Sequence, residues 1–90
     1  MNNAVHTRKA YVYIIRCRNN SLYTGWTTDL ERRIKEHNEG IGSKYTRANG
    51  PVKLVYFEEM ESKIKAMKRE YEIKQLPKEK KELLIKKQNS

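Results

Sequence analysis

The chain opens its patterned region with Tyr11 to Cys17, a run rich in aromatic and β-branched residues that predicts a strand. Arg18-Asn19-Asn20 predicts a turn, because asparagine tolerates the left-handed conformation, and Ser21 to Trp26 predicts a second strand. A three-residue loop ending on Asn20 would set Cys17 opposite Ser21, Ile15 opposite Tyr23 and Tyr13 opposite Gly25. Tyr13 and Tyr23 then become diagonal neighbours on one face, roughly 7 Å apart at the backbone. A two-residue loop would put them on opposite faces. Thr28-Asp29-Leu30-Glu31 has the spacing of a capping box, with Thr28 as N-cap, and predicts a helix to about Glu39 that Gly40 stops. Leu30 and Ile34 give that helix an apolar stripe, and Arg33 and His37 a neighbouring one. The Gly40 to Gly50 segment predicts a basic loop, and Asn49-Gly50-Pro51 a turn.

Val52 to Glu58 predicts a third strand, with Val52, Leu54 and Tyr56 on one face and Val55 and Phe57 on the other. Ser62 is placed to cap a second long helix to about Gln75. Ile64, Met67 and Tyr71 form one stripe along it, and Ala66, Glu70 and Ile73 an adjacent one. Pro77 suits the first position of a final short helix that has only Leu83, Leu84 and Ile85 to bury. The order β-β-α-β-α-α offers few parallel crossovers. It predicts an α/β fold of the α+β kind, with a mostly antiparallel three-stranded sheet. The expected layout is a loose tail over residues 1–9 holding an inert His6, one domain over 10–86, and a frayed end over 87–90.

Ninety residues suffice for one domain. The formal charge is +9, spread as +4 before residue 61 and +5 after it, with no like-charged tail. A basic folded domain without a membrane-spanning run points to a polyanionic partner, with nucleic acid foremost. A merely solvated lysine-rich surface is the bland alternative. Cys17 is the one cysteine, so neither an internal disulfide nor a Cys/His zinc cluster is expected. With no secretory signal, a cytoplasmic monomer is the expectation.

Hydrolysis of a phosphodiester needs an activated water, charge stabilisation on the phosphate and help for the leaving oxygen. Arg33 carries a forked guanidinium suited to phosphate oxygens. A tyrosine is a poor base unless it passes its own proton onward, and His37, one turn past Arg33, titrates in the right range to take it. Glu70 is a carboxylate able to hold Mg²⁺ (or Mn²⁺), which needs few protein ligands. Each residue also has a structural reading. A strand tyrosine packs, Arg33 and His37 sit solvated on a helix, Glu70 pairs with Lys74 four residues on, and Trp26 fills core. Only the set argues for chemistry.

Taken in order, Tyr11-Val12-Tyr13, Tyr23-Thr24-Gly25, Arg33, His37 and Ala66-Met67-Lys68-Arg69-Glu70 resemble the GIY-YIG nuclease superfamily over residues 10 to 86. Lys44-Tyr45-Thr46-Arg47 followed by Gly50 to Tyr56 resembles its small, single-domain bacterial branch, the UPF0213 family. The resemblance implies a three-stranded antiparallel sheet flanked by helices and one divalent metal held by Glu70. It implies Tyr13 as general base or relay, Tyr23 positioning phosphate or water, Arg33 stabilising the phosphorane and His37 accepting the tyrosine's proton. Tyr11 replaces the glycine of the first motif. The expected substrate is DNA, with Lys44, Arg47 and Lys74 on its backbone, and no protein partner is indicated. Two other readings compete: a nucleic-acid-binding module of weak catalysis that supports a repair or processing partner, and a protein-interaction domain.

Overall fold

The computed structural model describes residues 9–90. The tail expected over residues 1–9, with His6, lies outside them apart from Lys9, whose Nζ is 3.3 Å from Glu59 Oε2. The described chain runs β1 (Ala10–Cys17), β2 (Leu22–Thr27), α1 (Leu30–Asn38), α2 (Lys44–Asn49), β3 (Val52–Met60), α3 (Lys63–Lys74) and α4 (Lys78–Gln88). The expected order holds, with one short helix added between α1 and β3. The sheet is antiparallel in the order β2-β1-β3.

The hairpin turns as its asparagines predict. Asn20 has φ 70°, the Asn20 amide donates to Cys17 O, and the Cys17 amide donates to Ser21 O at 2.9 Å. This loop sets the register Tyr13↔Gly25 and Ile15↔Tyr23, which puts Tyr13 and Tyr23 on one face of the sheet.

Both faces are covered, so β1 is buried on both sides, as its nearly unbroken apolar run requires. Tyr13, Ile15, Cys17 and Val52 pack on one face beneath Leu30 and Ile34 of α1. Val12, Ile14 and Tyr56 pack on the other against Ala66 and Ile73 of α3 and Ile85 of α4. The alternation expected for β3 fails at one point. Ile14 pairs with Tyr56 but Ile15 pairs with Leu54, so Val55 is the extra residue of a β-bulge. Beyond the bulge the faces exchange, and Tyr56 joins the α3 face instead of sharing one with Val52 and Leu54.

Other boundaries also move. Asp29, not Thr28, caps α1, its carboxylate accepting from the Arg32 amide at 3.1 Å. Thr27 Oγ1 accepts the Asp29 amide and holds the chain extended up to that residue. The Gly40 to Gly50 segment is not all loop: Ser43 caps α2 by accepting the Thr46 amide. Of the two stripes on α3, only the one carrying Ala66 and Ile73 is buried; Ile64 and Tyr71 are 65% and 67% exposed. Leu83 is exposed too, so Leu84 and Ile85 carry the packing of α4. Near the C-terminal end, Gln88 exchanges two hydrogen bonds with the Phe57 backbone and Asn89 Nδ2 donates to Val55 O.

Two forked ion pairs join helices to the sheet. Arg16 meets Glu82 at 2.8 and 2.7 Å, tying α4 to β1. Arg69 meets Glu58 at 2.9 and 3.0 Å, tying α3 to β3. Asn38 does the same for α1, accepting the Val52 amide and donating to its carbonyl.

Candidate active site

Tyr13 projects from β1 beneath α1 and is 1% exposed. Its hydroxyl is 2.8 Å from His37 Nε2, and His37 is equally buried. The phenol runs directly over Gly25, where a Cβ would lie 2.5 Å from Tyr13 Oη and 2.7 Å from Cζ. The last residue of the second tyrosine motif is therefore glycine so that the phenol can cross β2.

The other imidazole nitrogen, Nδ1, is 2.8 Å from Thr46 Oγ1 on α2. Thr46 Oγ1 in turn lies 3.0 Å from Ser43 Oγ. The backbone at Gly42 presses on the same ring, where a Cβ would lie 2.6 Å from His37 Cγ. Tyr23 completes the seat edge-on, its ring centroid 5.4 Å from that of His37, and Tyr45 stacks on Tyr23 at 6.4 Å. Tyr45 also donates to Ser21 Oγ. Sequence reasoning passed over Gly42, Ser43 and the role of Thr46. The signal available was Ser43 three residues before Thr46, the spacing of a helix cap.

Arg33 faces the same group from α1. It donates to Glu36 Oε1 at 2.9 Å and to Gly42 O at 3.0 Å, and about a third of its side chain stays exposed. Burial works against its charge, but Glu36 and the Tyr13 phenol outweigh burial and hold its pKa above the ordinary value. Burial raises the Tyr13 pKa, the Arg33 guanidinium beside it works the other way, and Tyr23 and Glu70 push it up further. Burial, then the Arg33 charge, lowers His37 below the usual histidine value, with Glu36 opposing. The imidazole is thus neutral at neutral pH.

Glu70 stands on α3, near enough for its charge to act on Tyr13. Its side chain is 20% exposed, with Oε2 3.6 Å from Lys74 Nζ. Among the described residues no group of three or more His, Cys, Asp or Glu is placed to hold a metal ion. A lone, accessible carboxylate fits Mg²⁺ or Mn²⁺ that keeps most of its waters, and does not fit a zinc centre, which takes three or four protein ligands.

Of the backbone-binding candidates, Lys44 and Arg47 are exposed on α2, whereas Lys74 faces Glu70. A groove of about 370 Å³ opens beside Arg33, lined by Trp26, Thr28, Arg32 and Lys63 among others. Trp26 is divided between that groove and the core beneath α3. No helix of the described residues is long and apolar enough to cross a membrane.

The GIY-YIG catalytic domain, as a sequence family, matches residues 9–83. A UPF0213 protein of Clostridium perfringens is 61% identical over 75 residues, 83% of this chain and 81% of that protein. The solution NMR structure of a UPF0213 protein from Bacillus halodurans is 51% identical, with a TM-score of 0.56 over 87% of this chain and 83% of that one. A second NMR structure, of a protein from E. faecalis, is 38% identical, with a TM-score of 0.60 over 90% of this chain and 86% of that one.

Proposed function

This chain belongs to the GIY-YIG catalytic domain family and to its UPF0213 branch, and we propose that it is a Mg²⁺-dependent endonuclease acting on DNA. The observation that carries this reading is the buried contact of Tyr13 Oη with His37 Nε2 beside the Arg33 guanidinium. A phenol in that position takes a proton from water only by handing its own to the imidazole. Water loses a proton to Tyr13 as its oxygen bonds to phosphorus, the Tyr13 proton moves to Nε2, and the bond from phosphorus to the leaving oxygen breaks, that oxygen taking its proton from solvent. Arg33 is the charge donor for the phosphorane, worth about 10²–10³ in turnover for one preorganised donor. Tyr23, less buried than Tyr13, holds the phosphate or the water against the imidazole. A divalent ion on Glu70 would supply Lewis-acid charge to the phosphate oxygens. Lys74, which pairs with Glu70 here, is then freed to meet the backbone.

The test is cleavage of labelled DNA by purified protein, with Mg²⁺ and with EDTA, beside Glu70→Gln. Cleavage that EDTA and Glu70→Gln both abolish, with binding retained, is the expected result. Full metal-dependent activity in Glu70→Gln would overturn the metal assignment. Tight binding with no cleavage of single-stranded, duplex or branched DNA would instead favour a binding module.

A further inference from the structure

We infer that Thr46 is a positioning residue that holds His37 in the tautomer with its proton on Nδ1, so that Nε2 is free to receive the Tyr13 proton. The inference rests on the relay proposed above, but its geometry stands apart from any activity. Which nitrogen of a neutral imidazole carries the proton is set by the partner of the other nitrogen.

The Tyr13 end of the chain of contacts sets the answer, and the Thr46 end accommodates it. At the far end, Thr46 has one hydroxyl proton and sits 3.0 Å from Ser43 Oγ and 3.4 Å from Ser43 O. The carbonyl can only accept, and Ser43 Oγ already takes the Thr46 amide at 3.1 Å. Ser43 thus offers the Thr46 proton an acceptor, the local back-bonding that threonine favours near a helix cap. With its proton on Ser43, Thr46 Oγ1 has a lone pair to accept from Nδ1 at 2.8 Å. At the near end, Nε2 is the one group placed to accept from the Tyr13 hydroxyl among the described residues. The neighbouring Arg33 guanidinium can only donate. The Tyr13 proton thus needs Nε2 as its acceptor.

The seat leaves no substitute for Thr46. The Gly42 backbone closes over the Nδ1 edge of the ring, and both His37 and Thr46 are buried, at 1% and 0% exposure. Without the Thr46 oxygen, Nδ1 would lose the one acceptor it has among the described residues. The proton would then favour Nε2, where it opposes the relay.

The experiment is long-range ¹⁵N–¹H correlation of the imidazole nitrogens near neutral pH in wild type, Thr46→Val and Thr46→Ser. His37 is one of two histidines, so a His6→Ala background isolates its signals. Wild type should show a protonated Nδ1 and a bare Nε2, and Thr46→Ser should keep that pattern. Thr46→Val should shift the population to the Nε2–H form. In turnover, Thr46→Val should lose about tenfold or more at unchanged KM, part of the about 10²–10⁴ that a positioned acid–base group supplies. Thr46→Ser should restore it. A wild-type spectrum with the proton on Nε2 overturns the inference outright. So does a folded Thr46→Val protein with the wild-type pattern. If the tautomer shifts as expected but no variant, wild type included, cleaves DNA, the assignment of Thr46 stands and the nuclease reading falls.

Discussion

At the scale of the residue, the decisive quantity is the gap between the two groups of the relay. Ordinary values of about 10 for a phenol and about 6.5 for an imidazole make full proton transfer uphill by about 5 kcal/mol. Burial widens that gap from both sides, raising Tyr13 and lowering His37. Tyrosinate is therefore not the resting state, and in the proposed reaction the proton would move only as the water attacks. Tyr13→Phe should remove at least about 10² of kcat, the lower range of a positioned acid–base group. Stability should change by no more than about 1–2 kcal/mol, the net worth of one hydrogen bond. Because Tyr13 is so deeply buried, Tyr23→Phe is the necessary companion. Loss confined to Tyr23→Phe would move the base to that residue. His37 also links stability to pH. Its folded pKa lies below the ordinary value, so between the two the unfolded chain binds the extra proton. The contribution is complete above about pH 6.5 and is lost as pH falls through the folded value. Urea midpoints should drop between pH 7.5 and 5.5, and drop less in His37→Gln. Equal slopes in the two proteins would show that His37 does not set the dependence.

At the scale of the element, the candidate site exists because two glycines admit the two side chains of the proposed relay. Tyr13 crosses β2 at Gly25, and His37 is gripped at Gly42. Gly25→Ala places a Cβ where the phenol lies, and the ring is too enclosed to withdraw freely. Overpacking of this kind costs about 1–3 kcal/mol, and the larger effect should be on turnover, as the hydroxyl is pushed off Nε2. A Gly25→Ala protein with wild-type kcat would mean that Tyr13 has room the structure denies it. The hairpin behind this arrangement was legible because its register follows from loop length, and Asn20 marks the left-handed position. The bulge at Val55 was not, since Val52 to Phe57 is apolar on both faces and either alternation looks acceptable. The cap at Asp29 was hidden by Thr28, which offers an equally good side chain one residue early; Thr27 decides between them through its bond to the Asp29 amide. Residues 40–50 read as loop because two glycines and basic residues dominate, while α2 depends on Ser43 and on contacts to α1. The role of Thr46 was illegible for the same reason: its partner, His37, is brought to it only by the fold.

For the whole molecule, the question is which of its positive charges are free to meet a polyanion. The net charge of +9 overstates this, because Arg16 and Arg69 are committed to Glu82 and Glu58. Lys44 and Arg47 have no such commitment among the described residues, and they stand on α2, the helix that also holds His37 through Thr46. Arg32 and Lys63 line the groove beside Arg33, though Arg32 shares Glu36 with it. In the proposed reading the backbone is thus held by Lys44 and Arg47 on α2 and by Arg32 and Lys63 beside Arg33. Each phosphate neutralised releases counterions, with a slope of log affinity against log salt of about −0.9 per contact for duplex and about −0.7 for single strands. Lys44→Ala and Arg47→Ala should each flatten that slope by about 1 and weaken all sequences alike. Arg16→Ala removes the same formal charge but should leave the slope unchanged, since its guanidinium is already spent on Glu82. Titrations of labelled DNA between about 50 and 200 mM salt separate these cases. If Arg16→Ala flattens the slope as much as Lys44→Ala, net charge alone governs binding, and the placement of cations around Arg33 has no part in it.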